Sequence, residues 1–161
     1  MARLSFARAV LPVWLVTAAW DAVCATALGV FGYGSPAAAV WQGVAATALG
    51  SSAPSGGPAR LAAGLAVHTL VAFTWAAIFV AAALAWPVLR RAMRTAGSAL
   101  AVAVAYGPLI WLVMSLLVIP LATGRPPRGG FRWWIQFGAH IPFVSIPLVF
   151  TARRVLLSAV P

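Results

Sequence analysis

Asp21 is the only acid in this 161-residue chain, and His68 and His140 are its only histidines, so any proton chemistry must rest on these three side chains. All three lie inside long apolar runs. An ionised carboxylate surrounded by hydrocarbon is costly and seeks a donor, and the two imidazoles are the donors on offer. At 1.5 Å of rise per helical residue, Asp21 falls near the middle of its run, His68 about five residues outside the middle of its own, and His140 about two or three, a spread of roughly one or two turns. Thr17 precedes Asp21 by one turn, and Gln136 precedes His140 by one turn on the same helical face. An interior polar cluster of Asp21, His68, His140, Gln136 and Thr17 is therefore expected. Such a cluster suits a proton relay or a bound ligand; in its plainest form, Asp21 and one histidine satisfy each other and fix the register of two helices.

Other chemistries are poorly served. A single acid leaves no carboxylate pair for hydrolytic acid-base work, and the chain has neither a phosphate-binding glycine loop with lysine nor a nucleophile elbow. Zinc takes four ligands, and besides the histidines only Asp21 and Cys24 are available, so no metal site is expected. Cys24 is the only cysteine, which precludes an internal disulfide, and inside an apolar run it reads as a small packing residue. His68 and His140, on different runs at similar depth, are compatible with ligating a haem or a chlorophyll-type pigment, although nothing in the sequence requires a cofactor.

The elements that must position these groups follow from composition. Hydrophobic residues make up 63% of the chain and charged residues 7%, with a mean hydropathy of +1.00, whereas a soluble domain carries roughly a quarter charged residues. Crossing about 30 Å of hydrocarbon takes about 20 helical residues, and four runs suffice: 9–31, 61–86, 97–119 and 133–152. Segments rich in Gly, Ser and Pro separate them. The fold class expected is all-α, a single membrane domain over 1–161 forming an integral membrane bundle of four transmembrane helices. Arg3 and Arg8 before the first run resemble a signal peptide, but Asp21 interrupts that run and it continues past any cleavage point, so it is expected to remain as a helix.

A fifth helix is expected over 36–49, in the first outer loop, with Ser35 as its cap and Pro36 at its first position. At about 20 Å it is too short to span and reads as interfacial or re-entrant, with Trp41 at headgroup level. The net charge is +10, and every basic residue is Arg. The arginines flank the apolar runs instead of forming a stripe, which points to lipid headgroups and topology and not to nucleic acid. Arg3, Arg8, Arg90, Arg91, Arg94, Arg153 and Arg154 fall on one side, and Arg60, Arg125, Arg128 and Arg132 on the other. The larger group marks the cytoplasmic side, so both termini are expected there. The Arg, Ala, Gly and Pro usage fits a GC-rich genome, and a bacterial inner membrane is expected.

Helices in lipid pack through small residues. The first run supplies Ala18, Ala22, Ala25 and Gly29, and the third Gly97, Ala101 and Ala105; any such surface left uncovered would suit a partner helix or a second copy. Pro108, Pro142 and Pro147 free the carbonyls of Val104, Gly138 and Phe143, and Tyr106-Gly107-Pro108 marks the expected bend of the third helix. Trp86, Trp133 and Trp134 read as interfacial anchors. A short echo between 64–68 and 136–140, each ending in His, would fit a parallel duplication of two helices plus two.

Trp20-Asp21 in the first helix, Trp41-Gln42-Gly43 in the short outer helix, a His in the second and fourth helices and a closing Arg153-Arg154 together resemble a group of small, uncharacterised bacterial four-helix inner-membrane proteins. The resemblance implies location and architecture, and carries no activity. With the composition it leads to the expectation of a non-enzymatic accessory or scaffold subunit whose partners are the lipid bilayer and other membrane helices, or further copies of itself. A small transport or proton-coupled module using Asp21, His68 and His140, and a haem- or pigment-binding protein, are the alternatives.

Overall fold

The protein is described here from a computed structural model, which covers residues 5–127 and 129–158. Arg3 and Arg128, both used in the arginine count, lie outside the described residues. Every element among the described residues is helical, and four helices are long and apolar enough to cross a membrane. We number them with the two shorter ones in chain order: α1 Phe6–Gly32, α2 Ala37–Leu49, α3 Gly57–Ala85, α4 Pro87–Ala92, α5 Ala96–Thr123 and α6 Phe131–Ser158.

The long helices outrun the apolar stretches because their ends are capped by polar residues that a hydropathy count leaves out. Ser5 accepts from Arg8 N–H at the start of α1, and Thr95 and Ser98 form a reciprocal capping box at the start of α5, which satisfies backbone donors that have no intrahelical partner. Gly124 closes α5 with φ 65°, its N–H returning to Pro120 O, a left-handed turn that glycine makes at no steric cost.

α1 packs antiparallel between α3 and α6, and α5 runs antiparallel along α6. Tyr106 Oη–H donates to Trp75 O (3.1 Å) and ties α5 to α3. The apolar core fills the half of the bundle that holds Ser5 and Ser158: Val10 and Val13 of α1, Phe79 and Val80 of α3, and Leu148 and Val149 of α6. Met93, fully buried, seals its floor.

In the opposite half, α2 does not lie on the outside. It packs along α3, meets the ends of α1 and α5, and buries Ala45 completely and Trp41 almost so. Trp41 is thus packed against the chain, while Ala37–Ala39, Gly43, Thr47 and Leu49 of the same helix are exposed. Gly64 explains the close packing, because a Cβ there would collide with the Trp41 carbonyl, so a residue with no side chain lets α2 settle against α3. Pro36 is the extended cap residue and not the first helical one, and no side chain caps α2.

The expected small-residue surfaces fare differently. In α1, Gly29 is buried because Val40 of α2 occupies the space a Cβ would need, while Ala18, Ala22 and Ala25 are half-buried. In α5, Gly97, Ala101 and Ala105 face outward, and the stripe packed inside the chain is Ala99, Ala103 and Gly107, two residues later. Nearly every position there is small, so composition alone does not fix the face. At Tyr106-Gly107-Pro108, where a bend is expected, α geometry continues through Pro108 to Val113 and gives way to a wider π turn at Met114–Val118, ahead of Pro120. A second π turn, Ile141–Ser145, contains Pro142. Widening of this kind is how a helix accommodates a residue that breaks its hydrogen-bond register. The Gly138 carbonyl is taken by Ile141 N–H and lines no polar cavity.

The α5–α6 crossing is the tightest approach of long helices. A Cβ at Gly107 would lie 2.7 Å from both His140 O and Ser145 Oγ, and the buried Ser145 hydroxyl donates to Ala103 O (2.6 Å). Gly107→Val is expected to destabilise the protein by about 1–3 kcal/mol through overpacking, whereas Gly97→Ala, into open space, should be neutral or slightly stabilising. Thermal unfolding in detergent compares them, and equal melting temperatures for the two variants would rule out the close crossing.

Candidate functional site

His68 sits on the face of α3 that meets α1, and both of its ring nitrogens are engaged. Nε2 lies 3.1 Å from the Ala18 carbonyl, which can only accept, so Nε2 carries a hydrogen. Nδ1 lies 3.7 Å from Asp21 Oδ2. With Nε2–H committed, the Asp21–His68 unit is neutral when it holds one further proton, whether on Nδ1 as a carboxylate–imidazolium pair or on the carboxyl as a neutral pair. Asp21 is a quarter exposed at its side chain and His68 13%, so the pair is sheltered but not sealed. Trp41 places its indole edge-on to the imidazole, with centroids 5.1 Å apart, and closes the site from α2.

His140 is held otherwise. Its Nδ1–H donates to the carbonyl of Gln136 one turn earlier (2.7 Å), and its ring leans on Trp111 of α5 at 4.8 Å. The bond from Gln136 is made by its backbone. Trp20 Nε1–H, beside Asp21 in sequence, donates to Pro142 O (3.2 Å), so α1 presents Trp20 to α6 and Asp21 to α3. Thus Asp21 and His68 come together, while His140 and Gln136 lie against α5 on the other side of α1. Thr17, one turn below Asp21, is buried, and its hydroxyl has no hydrogen-bond partner.

No family model matches the sequence, and no curated protein or solved structure is similar to it. The site must be read from its own geometry.

His68 Nε2–H is held by the Ala18 carbonyl and Nδ1 faces Asp21 at 3.7 Å, so ligation of a haem iron by His68 would require the ring to leave one of these neighbours. Among the described residues no three His, Cys, Asp or Glu side chains gather. What the site does supply is an acid facing an imidazole at 3.7 Å and, on the α5 side, an aromatic cluster. Trp111 packs against His140 and against Trp133, which stacks on Phe137, and a cavity of about 390 Å³ opens beside Trp111, Ser115 and Trp133 under Gly43 of α2. Trp111 Nε1–H and the Ser115 hydroxyl are buried without partners.

The roles of Trp41 and Trp111 were missed in the sequence, although a signal existed. Each histidine rests against one indole, and an indole inside an apolar run is a large ring that packs against a neighbouring element and carries a donor. Trp14 follows the same rule, donating to Thr69 O (3.0 Å) across the α1–α3 seam.

If Asp21 and His68 act as one unit, removing either partner costs more than removing both. His68→Leu strands the carboxylate and is expected to cost about 3 kcal/mol, the low end for a broken buried pair, in keeping with the partial exposure of Asp21. The Asp21→Leu/His68→Leu double variant should return most of that stability. A double variant as unstable as His68→Leu alone would show that the two side chains are not coupled.

Proposed function

We propose that this chain is a non-enzymatic integral membrane protein, an accessory or scaffold subunit that packs against other membrane helices. Its setting in this reading is a bacterial inner membrane, with both termini cytoplasmic; the arginine excess at the Arg90-Arg91-Arg94 end carries the orientation. The resemblance to small bacterial four-helix inner-membrane proteins is in keeping with the same setting. The observation that carries the proposal is the outward face of α5. Gly97, Ala101 and Ala105 repeat every four residues on the outside of the bundle, and a Cβ at Gly97 would meet nothing within 4 Å. Small residues at this spacing allow the close backbone approach through which helices associate in lipid, and the chain itself leaves them uncovered. Gentle solubilisation should recover a stoichiometric membrane partner or a homo-oligomer, and Ala101→Trp should release it without lowering the melting temperature. A monodisperse single-chain species from unmodified protein would sink this reading.

A second reading has a specific observation in its favour. Asp21, a partly exposed carboxylate, faces His68 Nδ1 at 3.7 Å, and an intramembrane acid beside an imidazole is the kind of group a proton-coupled transport module uses. In liposomes, Asp21→Asn should then abolish a pH-dependent flux shown by the parent protein. Unchanged flux removes Asp21 from any such mechanism.

A further inference from the structure

At the end of the bundle that holds Ser5 and Ser158, the chain leaves α3 at Trp86, breaks at Pro87 and runs through the six residues of α4. α4 presents Arg90 and Arg91, and the turn after it presents Arg94, to a cleft of about 450 Å³ walled by Pro87 and by Leu157 of α6. Three arginines on one cleft repel one another and call for anions, and no acidic side chain answers them: the only one is Asp21, which faces His68 on the far side of the core.

The carbonyls at this turn are also dealt with. Arg153 Nε–H donates to Met93 O (2.8 Å) and its Nη2–H to Arg94 O (3.0 Å), so two groups that would repel an incoming anion are already occupied. Met93, fully buried, pins the turn to the core. Trp86, 62% exposed at the head of α4, is the kind of side chain that settles at headgroup level. An apolar wall beside three planar, multiply donating cations matches a molecule with phosphate oxygens at one end and hydrocarbon at the other.

We propose that the cleft between α4 and the end of α6 is a binding site for the phosphate headgroup of an anionic glycerophospholipid, and that the doubly charged diphosphatidylglycerol class is held best. Arg90, Arg91 and Arg94 contact the phosphates, and Arg153 is a positioning residue that holds the turn. The inference rests on the bilayer setting proposed above and is independent of any partner.

Native mass spectrometry tests it on protein that resists carbonate extraction, a condition that separates failure of the bilayer setting from failure of the site. Protein purified with equimolar diphosphatidylglycerol, phosphatidylglycerol and phosphatidylcholine should retain them in that order. Arg90→Gln/Arg91→Gln/Arg94→Gln should reduce retained diphosphatidylglycerol at least tenfold. Arg90→Gln/Arg91→Gln alone should still reduce it several-fold, whereas the matched loss of two charges at the same end, Arg8→Gln/Arg154→Gln, should change it less than twofold. Arg90→Lys/Arg91→Lys/Arg94→Lys keeps the charge without the bidentate geometry and should fall between. Equal loss in the cleft and matched variants would overturn the site in favour of diffuse attraction. Competition by inorganic pyrophosphate as strong as that by the lipid would overturn the lipid assignment.

Discussion

Inside a bundle of apolar helices there is no water to satisfy a polar side chain, and this constraint organises the whole structure. The chain meets it in one recurrent way: a side-chain donor on one helix reaches a backbone carbonyl on another. Trp14 and His68 join α1 and α3 through Thr69 O and Ala18 O, Trp20 joins α1 to α6 through Pro142 O, and Tyr106 joins α5 to α3 through Trp75 O. Ser145 joins α6 to α5, and Arg153 joins α6 to the turn before α5. Backbone carbonyls retain a second lone pair after their intrahelical bond, so each helix offers acceptors along its length, and a sequence with almost no carboxylates can still stitch its helices together. The donors also fix register, because each one is answered only at a particular depth.

The donors work only if the backbones come close enough to be reached, and small residues arrange this. Gly107 lets α5 meet the π turn of α6, which brings Ser145 to Ala103 O; Gly64 lets α2 meet α3, which brings Trp41 to His68; Gly29 admits Val40. The two devices are coupled, since removing the clearance removes the bond. They also divide the bundle. One half is a conventional core of Val, Leu and Phe. The other is filled by a short helix and aromatic side chains, and it is there that polar groups and a cavity gather.

Hydropathy made the four long helices and the short one readable, since runs of that length and apolarity have few other outcomes. The ends were harder: Ser5 and Thr95 cap helices from outside the apolar runs. That Asp21 would meet a histidine was accessible from depth, because a lone acid in an apolar run has few places to go, but depth left His68 and His140 both open. His140 lay at a similar depth, but depth does not specify azimuth, and the adjacent Trp20 and Asp21 point to different helices. The inward face of α5 was obscured by its composition: where 97, 101 and 105 are as small as 99, 103 and 107, no periodic contrast marks the inside. Of the three π turns among the described residues, Met114–Val118 and Ile141–Ser145 have Pro120 and Pro142 nearby while Leu28–Gly32 contains no proline, and the proline at 108 is accommodated without one.

The same engagement that explains the Asp21–His68 pair also bears on what it does. A relay must take a proton from one side and release it on another. Here Nε2–H is held by Ala18 O and Nδ1 faces Asp21, so a proton arriving at Asp21 can pass to Nδ1, but leaving through Nε2 requires breaking the bond that fastens α3 to α1. Trp41 packs against the ring and further restricts its rotation. As built, the pair is a clamp whose proton is local, and conduction would need α2 to withdraw and the imidazole to turn. The packing face of α5 needs no such rearrangement, since it is already exposed and already small. On the reading proposed above, the acid and its histidine hold α1 against α3 in a fixed register, and the small-residue face left open for association lies apart from them on α5.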